Sequence, residues 1–293
     1  MSSDKVRFFE IPLESFNGKI PFIVVDLIEE MRRRHVENIQ GIFRLNGSDS
    51  RVKEIIERYN NGPISSFAEY KDINDLSTTL KRYFRYMTFE KRPLIPFELY
   101  DCFIGLMNYG DEEKTNEVMK GLLKNLNQAK YKTLGYLIKF LNDISKNQSV
   151  NNMTAMNLAI CITPNILVAP ETNQSLMKES GLANQVIELM IKNYDQIFDE
   201  LVITKDDFCT DEDIATLWVP KLDLELIKQL TIRCKLREES LIPYVPMCRV
   251  LCSKKIYQRP NKPLPVFDDK EEEEDANDNN DNCFDFLNEK NST

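Results

Sequence analysis

Gln40-Gly41-Ile42-Phe43-Arg44-Leu45-Asn46-Gly47-Ser48 lies between two segments whose apolar residues recur at helical spacing. Gly41 and Gly47 bracket the stretch. Each reads as a sharp turn, because glycine enters backbone regions closed to other residues. Ile42 and Phe43 are apolar inside a loop, which predicts that they plug into a core and fix the loop in place. Arg44 is then a long charged side chain on a short, anchored loop. A guanidinium is always charged, planar and rich in donors, which suits it to phosphate oxygens. A surface ion pair or a bond to a carbonyl is the ordinary alternative for one arginine, so the surrounding chain has to decide.

Upstream, residues 8–14 read as an extended lead-in. Pro21 opens a helix, its favoured first-turn position, and Ile23, Leu27, Ile28 and Met31 form one stripe as far as about Glu37. Downstream, Ser48 is placed as an N-cap. Val52, Ile55, Ile56 and Tyr59 form the buried side of the helix that follows, and Asn60-Asn61-Gly62-Pro63 ends it. Asp72-Ile73-Asn74-Asp75 starts another helix, whose core row is Leu76, Leu80, Phe84 and Met87. Lys81 and Arg85 are four apart, one position round from that row, so they lie together at its edge. A solvated helix edge is the plain reading of that pair.

Further helices are predicted over Pro96–Tyr109, Glu112 to about Asn127, and Tyr131–Lys146, the last with a broad apolar stripe from Leu134 to Ile144. A strongly apolar helix follows from Met153, stopped by Pro164 because proline disfavours helix in the residue before it. Asn165 is expected just past that break, where capping backbone groups is its ordinary work. The last long helix is read from Ser175 to about Leu201. The fold class is all-α, one domain of about eight to nine helices.

Composition narrows the function. The chain has 293 residues and is 42% hydrophobic, enough for a sizeable core. Its net charge of −9 comes from residues 268–293, which hold 11 acidic and 2 basic side chains; the remainder is balanced at 36 of each. A folded body without a basic excess makes nucleic acid an unexpected partner. No apolar run of ~18 residues is present to span a membrane. The seven cysteines are scattered; three residues separate Cys248 from Cys252, and no second pair completes a zinc site. Reduced thiols in a cytoplasmic protein are the expectation. His35, the single histidine, follows three arginines and reads as an exposed helix residue, so histidine-based acid–base or metal chemistry is not expected.

Three motifs then come together. Gly41-Ile42-Phe43-Arg44-x-x-Gly47-Ser48 resembles the arginine-finger loop of RhoGAP domains, which activate Rho-family GTPases. Leu80-Lys81-x-x-x-Arg85 is similar to that family's L-K-x-x-L-R segment, with Phe84 in place of the second leucine. Asn157-Leu158-Ala159 through Pro164-Asn165 resembles its N-L-A-x-x-x-x-P-N-L signature. The resemblance covers residues 6–203. It implies that Arg44 is a catalytic finger supplied to a partner, that Lys81 lines the docking surface, that Arg85 braces the finger loop and that Asn165 faces the GTPase. Gly41, Phe43 and Gly47 would shape the loop. One departure stands out: between Arg85 and Pro96 the chain is about three residues longer than the family's L-P-x-P-L-x-P run and lacks its first proline.

The partner implied is a Rho/Rac/Cdc42-type small GTPase in its GTP-bound state, which recruits the protein to the membrane. GTP and Mg²⁺ belong to that partner; no cofactor and no metal site of the chain's own is expected. The chain carries no G-x-x-x-x-G-K-[ST] loop, so it is not expected to bind nucleotide itself; the resemblance implies an activator of a partner GTPase and not an independent enzyme. Two alternatives stay open: a catalytically silent RhoGAP-like module that docks GTPases or other proteins, and an unrelated helical scaffold. Residues 204–267 read as a partly helical, proline-containing extension. In it Thr210 to Asp213 resembles a capping box, and residues 259–265 fit a weak SH3-type contact or an extended packed segment. Residues 268–293 read as a disordered acidic tail.

Overall fold

The apolar spacing of the sequence becomes a stack of amphipathic helices. The computed structural model describes residues 7–170, 176–210 and 212–214, which belong to a unit spanning residues 1–222. In chain order these form α1 (Phe22–Arg33), α2 (Asp49–Tyr59), α3 (Ile73–Phe89), α4 (Phe97–Leu106), α5 (Glu112–Leu123), α6 (Gln128–Ser145), α7 (Gln148–Asn151), α8 (Ala155–Ile166), α9 (Leu176–Lys192) and α10 (Tyr194–Ile197). Eight run ten residues or more, and α7 and α10 are single turns. Among the described residues there is no strand, only a bridge between Ile20 and Phe208. The class is all-α, as the periodicity predicts.

Helices α3 and α8 form the centre. α3 packs on α1, α2 and α8; α8 packs on α3, α6 and α9. The row read from the sequence is the buried one: Leu76, Leu80, Phe84 and Met87 are essentially inaccessible. They share one core cluster with Leu158, Ile162 and Ile166 of α8, on which α3 packs. Each such side chain contributes about 1.5–3 kcal/mol by leaving water. Asp72 caps α3, its carboxylate accepting the Asn74 amide at 2.9 Å.

Several boundaries differ from the sequence reading. α1 stops at Arg33, and His35 is exposed in a left-handed turn at φ 54° instead of lying on the helix. The Arg34 guanidinium donates to the carbonyls of Phe67 and Tyr70, so a tertiary contact is made at the point where the helix stops. α8 runs through Pro164 to Ile166. Proline costs a helix one amide donor, and here it falls in the last turn. There the Asn165 side-chain amide covers the carbonyls of Cys161 (3.2 Å) and Ile162 (3.4 Å). Asn165 is therefore inside the helix, not past its end. The last long helix breaks at Asn193, whose side chain is drawn to Glu112 and Asn116; its predicted start at Ser175 lies outside the described residues.

The longer 86–95 segment begins as helix and leaves it after four residues. α3 continues to Phe89, then closes with Lys91 left-handed at φ 58°. The amides of Lys91 and Arg92 bond back to Thr88 (3.0 Å) and Met87 (2.8 Å). This pattern satisfies the carbonyls that a helix end leaves open. Leu94 and Ile95 are buried, and the Ile95 amide bonds to the Ile166 carbonyl at 3.1 Å, fastening the segment to the end of α8.

The described part of the C-terminal extension crosses the lead-in to α1. The Ile20 amide donates to the Asp207 carbonyl (2.8 Å), and Cys209 donates to the Ile20 carbonyl (3.0 Å). Thr210 and Asp213 bond reciprocally as the capping box predicts. Asp213 also pairs with Lys19 at 2.7 Å. That hydrogen bond is the main reason its carboxyl is held down at about 2. The proline-rich 259–265 stretch and the acidic 268–293 tail lie outside the described residues.

Candidate functional site

The 40–48 loop is tied at both ends and along its length. At its start the Gly41 amide donates to the Asn151 carbonyl at 2.9 Å. Gly41 is left-handed at φ 68°, and its carbonyl accepts the amides of Arg44 and Leu45, closing a tight turn. Ile42 and Phe43 are buried, as their apolar character predicts. Phe43 is also left-handed, at φ 68°. For a bulky side chain this is a strained conformation, costing about 1–3 kcal/mol, and it persists only where the surroundings impose it. The ring of Phe140 meets that of Phe43 edge-on, centroids 6.2 Å apart.

At the far end Gly47 is not left-handed. Its role is close approach: a Cβ there would sit 2.5 Å from Asp75 Cα and 2.6 Å from Asp75 N. The Gly47 amide donates to Thr78 Oγ1 (2.9 Å), and the Ser48 amide to Asp75 Oδ1 (2.8 Å). Ser48 holds the N-cap position before α2, but its side chain makes no capping bond; its hydroxyl meets Ser50 instead. Asp75 thus anchors the loop from the first turn of α3. Its burial raises its carboxyl above the usual value, with the Ser48 amide opposing.

Arg44 stands exposed at the top of this loop. Lys81 lies beneath it. Its ammonium donates to the Phe43 carbonyl at 2.7 Å and to Asn46 Oδ1 at 3.2 Å. Burial lowers its pKa, and neighbouring Arg82 adds to that. Cys161 on α8 completes the floor: burial raises its thiol pKa, opposed by the charges of Lys81 and Arg44. The structure therefore brings Arg44 and Lys81 together, with Lys81 holding the loop. Arg85, the residue expected to brace it, lies one turn further along α3 with its guanidinium over the Phe89 ring at 5.4 Å. Asn165 is at the same end of the α3–α8 seam, its carbonyl accepting from Thr88 Oγ1 at 2.9 Å.

Sequence reasoning missed Asp75, Thr78 and Asn151. Asn151 is fully buried; its side-chain amide donates to the carbonyls of Glu37 (2.9 Å) and Ile144 (2.8 Å) while its own carbonyl holds Gly41. Its one sign in the sequence is the polar, turn-like stretch Asn147-Gln148-Ser149-Val150-Asn151-Asn152. Among the described residues no group of acidic, histidine and cysteine side chains is arranged to hold a metal. No helix there is long and apolar enough to cross a membrane.

Fold and site together define an all-helical domain that presents an arginine from a loop clamped between α3, α6 and α7. Residues 21–171 match the RhoGAP domain, and the chain belongs to that family. It is similar to the Rho GTPase-activating protein gacY of Dictyostelium discoideum, 32% identical over 184 residues that cover 62% of this chain and 25% of that protein. It is also similar to the GEM-interacting protein of Homo sapiens, 32% identical over 217 residues covering 67% and 22%. The chain thus spans about a quarter of the length of the curated relatives it matches. Its fold is that of the crystal structure of human Rho GTPase activating protein 15, with a TM-score of 0.62 and 24% identity over 66% of this chain and 93% of that one.

Proposed function

We propose that this protein accelerates GTP hydrolysis by a Rho/Rac/Cdc42-type small GTPase in its GTP-bound state, with Arg44 as the finger. The observation that carries the reading is the contrast within one loop. The backbone at Gly41, Phe43, Gly47 and Ser48 is bonded to four different side chains or carbonyls of the domain, while the Arg44 side chain stands exposed. The names of the relatives support the activity.

Such a partner already holds GTP, Mg²⁺ and a positioned water. Its slow step is limited by charge developing on the phosphate oxygens. A planar guanidinium held in trans meets that charge with paired donors. Fingers of this kind are worth about 10³–10⁵ in kcat, roughly 4–7 kcal/mol. A pre-fixed loop spares the ordering cost of bringing the arginine to the phosphate. The protein completes the partner's active site and is not itself the enzyme.

The docking surface surrounds the finger. Leu45 is 52% exposed beside Arg44, Ile160 39% beside Cys161, and Phe89 58% beneath Arg85. These supply apolar contact, with Arg85 and the α8 end at Asn165 along the rim. Lys81 supports the loop from below. Residues 6–203 form the acting domain, with 204–267 and 268–293 as extension and tail. Engagement of the GTPase brings the protein to the partner's membrane.

Single-turnover hydrolysis by a panel of Rho-, Rac- and Cdc42-type GTPases tests this. Intact protein is expected to accelerate at least one member, and Arg44→Ala to lose that acceleration by about 10³-fold or more while binding persists. Tight binding without acceleration on any GTPase would instead support a docking module.

A further inference from the structure

We propose that the segment after α10, beyond the 21–171 match, takes part in positioning the finger, through a row of side chains that runs Phe208, Tyr136, Arg32, Phe140, Phe43. The proposal rests on Arg44 being the finger, and it makes Phe208 a positioning residue for it.

Phe43 is the pivot. Its left-handed backbone sets the direction in which the next residue, Arg44, leaves the loop, and a phenylalanine stays in that conformation only while its surroundings impose it. Its ring is 1% exposed and rests edge-on against Phe140 at an interplanar angle of 69°. Phe140 and Tyr136 are one turn apart on α6, and the Arg32 guanidinium lies over both rings, 5.5 and 5.2 Å from their centroids. Arg32 is held in turn by Glu29 at 2.8 Å and Asp143 at 3.6 Å. The Tyr136 hydroxyl donates to the same Glu29. On its other side the Tyr136 ring meets Phe208 edge-on, centroids 5.4 Å apart. Each member is fixed by the next, and the row ends on a residue kept in place by the Ile20 bridge on either side of it.

Phe208 is the weakest member, only partly buried on a segment of a few backbone bonds. Local opening begins in such segments. Detaching residues 204–214 would leave Tyr136 and Arg32 without their outer support and loosen the packing that fixes Phe43. Docking would be untouched, because Phe208 is not part of the exposed face around Arg44. The row predicts a change in the rate constant of the complex, not in its affinity.

The test is single-turnover hydrolysis on the full chain with Phe208→Ala, Phe208→Tyr and Arg44→Ala, titrated to saturation against a responsive GTPase. Phe208→Ala is expected to lower the maximal rate about tenfold at an unchanged half-saturating concentration, since misplacement on the order of 1 Å costs up to 10²-fold. Phe208→Tyr, which keeps the ring, is expected to restore it. An unchanged maximal rate, a change confined to half-saturation, or equal loss in the alanine and tyrosine variants overturns the proposal. If circular dichroism shows Phe208→Ala unfolded, Phe208→Leu is judged by the same criteria. Arg44→Ala separates the two levels: full activity there removes the finger reading itself. Lost activity there, beside a normal Phe208→Ala, removes only the row.

Discussion

Gly47→Ala tests whether the 40–48 loop, and with it the proposed finger Arg44, owes its position to a contact that only a glycine permits. The added Cβ would lie 2.5 Å from Asp75 Cα, 2.5 Å from its Oδ1 and 2.6 Å from its amide nitrogen. Carbon atoms pack at about 3.5–4.0 Å, so the loop base or the start of α3 must move by about 1 Å. Two of the three clashing atoms are backbone, and no rotamer change relieves them. Overpacking of this kind costs about 1–3 kcal/mol, a fall of roughly 2–12 °C in Tm for a domain of this size. The same shift stretches the bonds from Gly47 to Thr78 and from Ser48 to Asp75, three and four residues from Arg44. A displacement near 1 Å at the finger predicts a maximal hydrolysis rate lower by about 10–10²-fold. Thermal melts and saturating single-turnover assays read the two effects. Gly121→Ala is the control: nothing lies within 4 Å of its Cβ position, on helix α5, so the change is expected to stabilise by about 0.5–1 kcal/mol. A Gly47→Ala protein with native Tm and native maximal rate would refute the rigid-anchor argument.

Three other outcomes follow from the site and its flank. Lys81→Met removes the ammonium from the Phe43 carbonyl. Because it also removes a charge that burial disfavours, the melting temperature is expected to change little while the maximal rate falls about tenfold. Asp75→Asn keeps an acceptor for the Ser48 amide and removes a carboxyl whose pKa burial raises, so it is expected to melt at or above the native temperature. Asp75→Ala strands that amide and is expected to lose about 1–3 kcal/mol in denaturant titration. The Lys19–Asp213 pair predicts an acid-side effect. With Asp213 depressed to about 2, its contribution to stability is present above the ordinary 3.8 and is lost as pH falls through about 2. Carboxyl NMR should show that low midpoint, and Lys19→Met should move it up.

What the sequence determined by itself is local in origin. Helical periodicity marked the buried rows of α3 and α6, because the 3.6-residue repeat puts i and i+4 side chains on one face whatever packs against them. The glycine–apolar–arginine pattern marked the 40–48 loop and the burial of Ile42 and Phe43. Tertiary structure decided the rest. Gly47 looks like a turn residue, but its need for no Cβ arises from Asp75, which approaches from another helix. Lys81 and Arg85 are equivalent in helical spacing, yet the Phe43 carbonyl, 38 residues away, engages Lys81 alone. The row of contacts from Phe43 through Phe140, Arg32 and Tyr136 to Phe208 joins the loop, α1, α6 and the segment after α10, which lie far apart in the sequence. Local periodicity can set which face of a helix is buried. Which atom meets which across the core depends on how whole helices come together, and only the folded chain settles that.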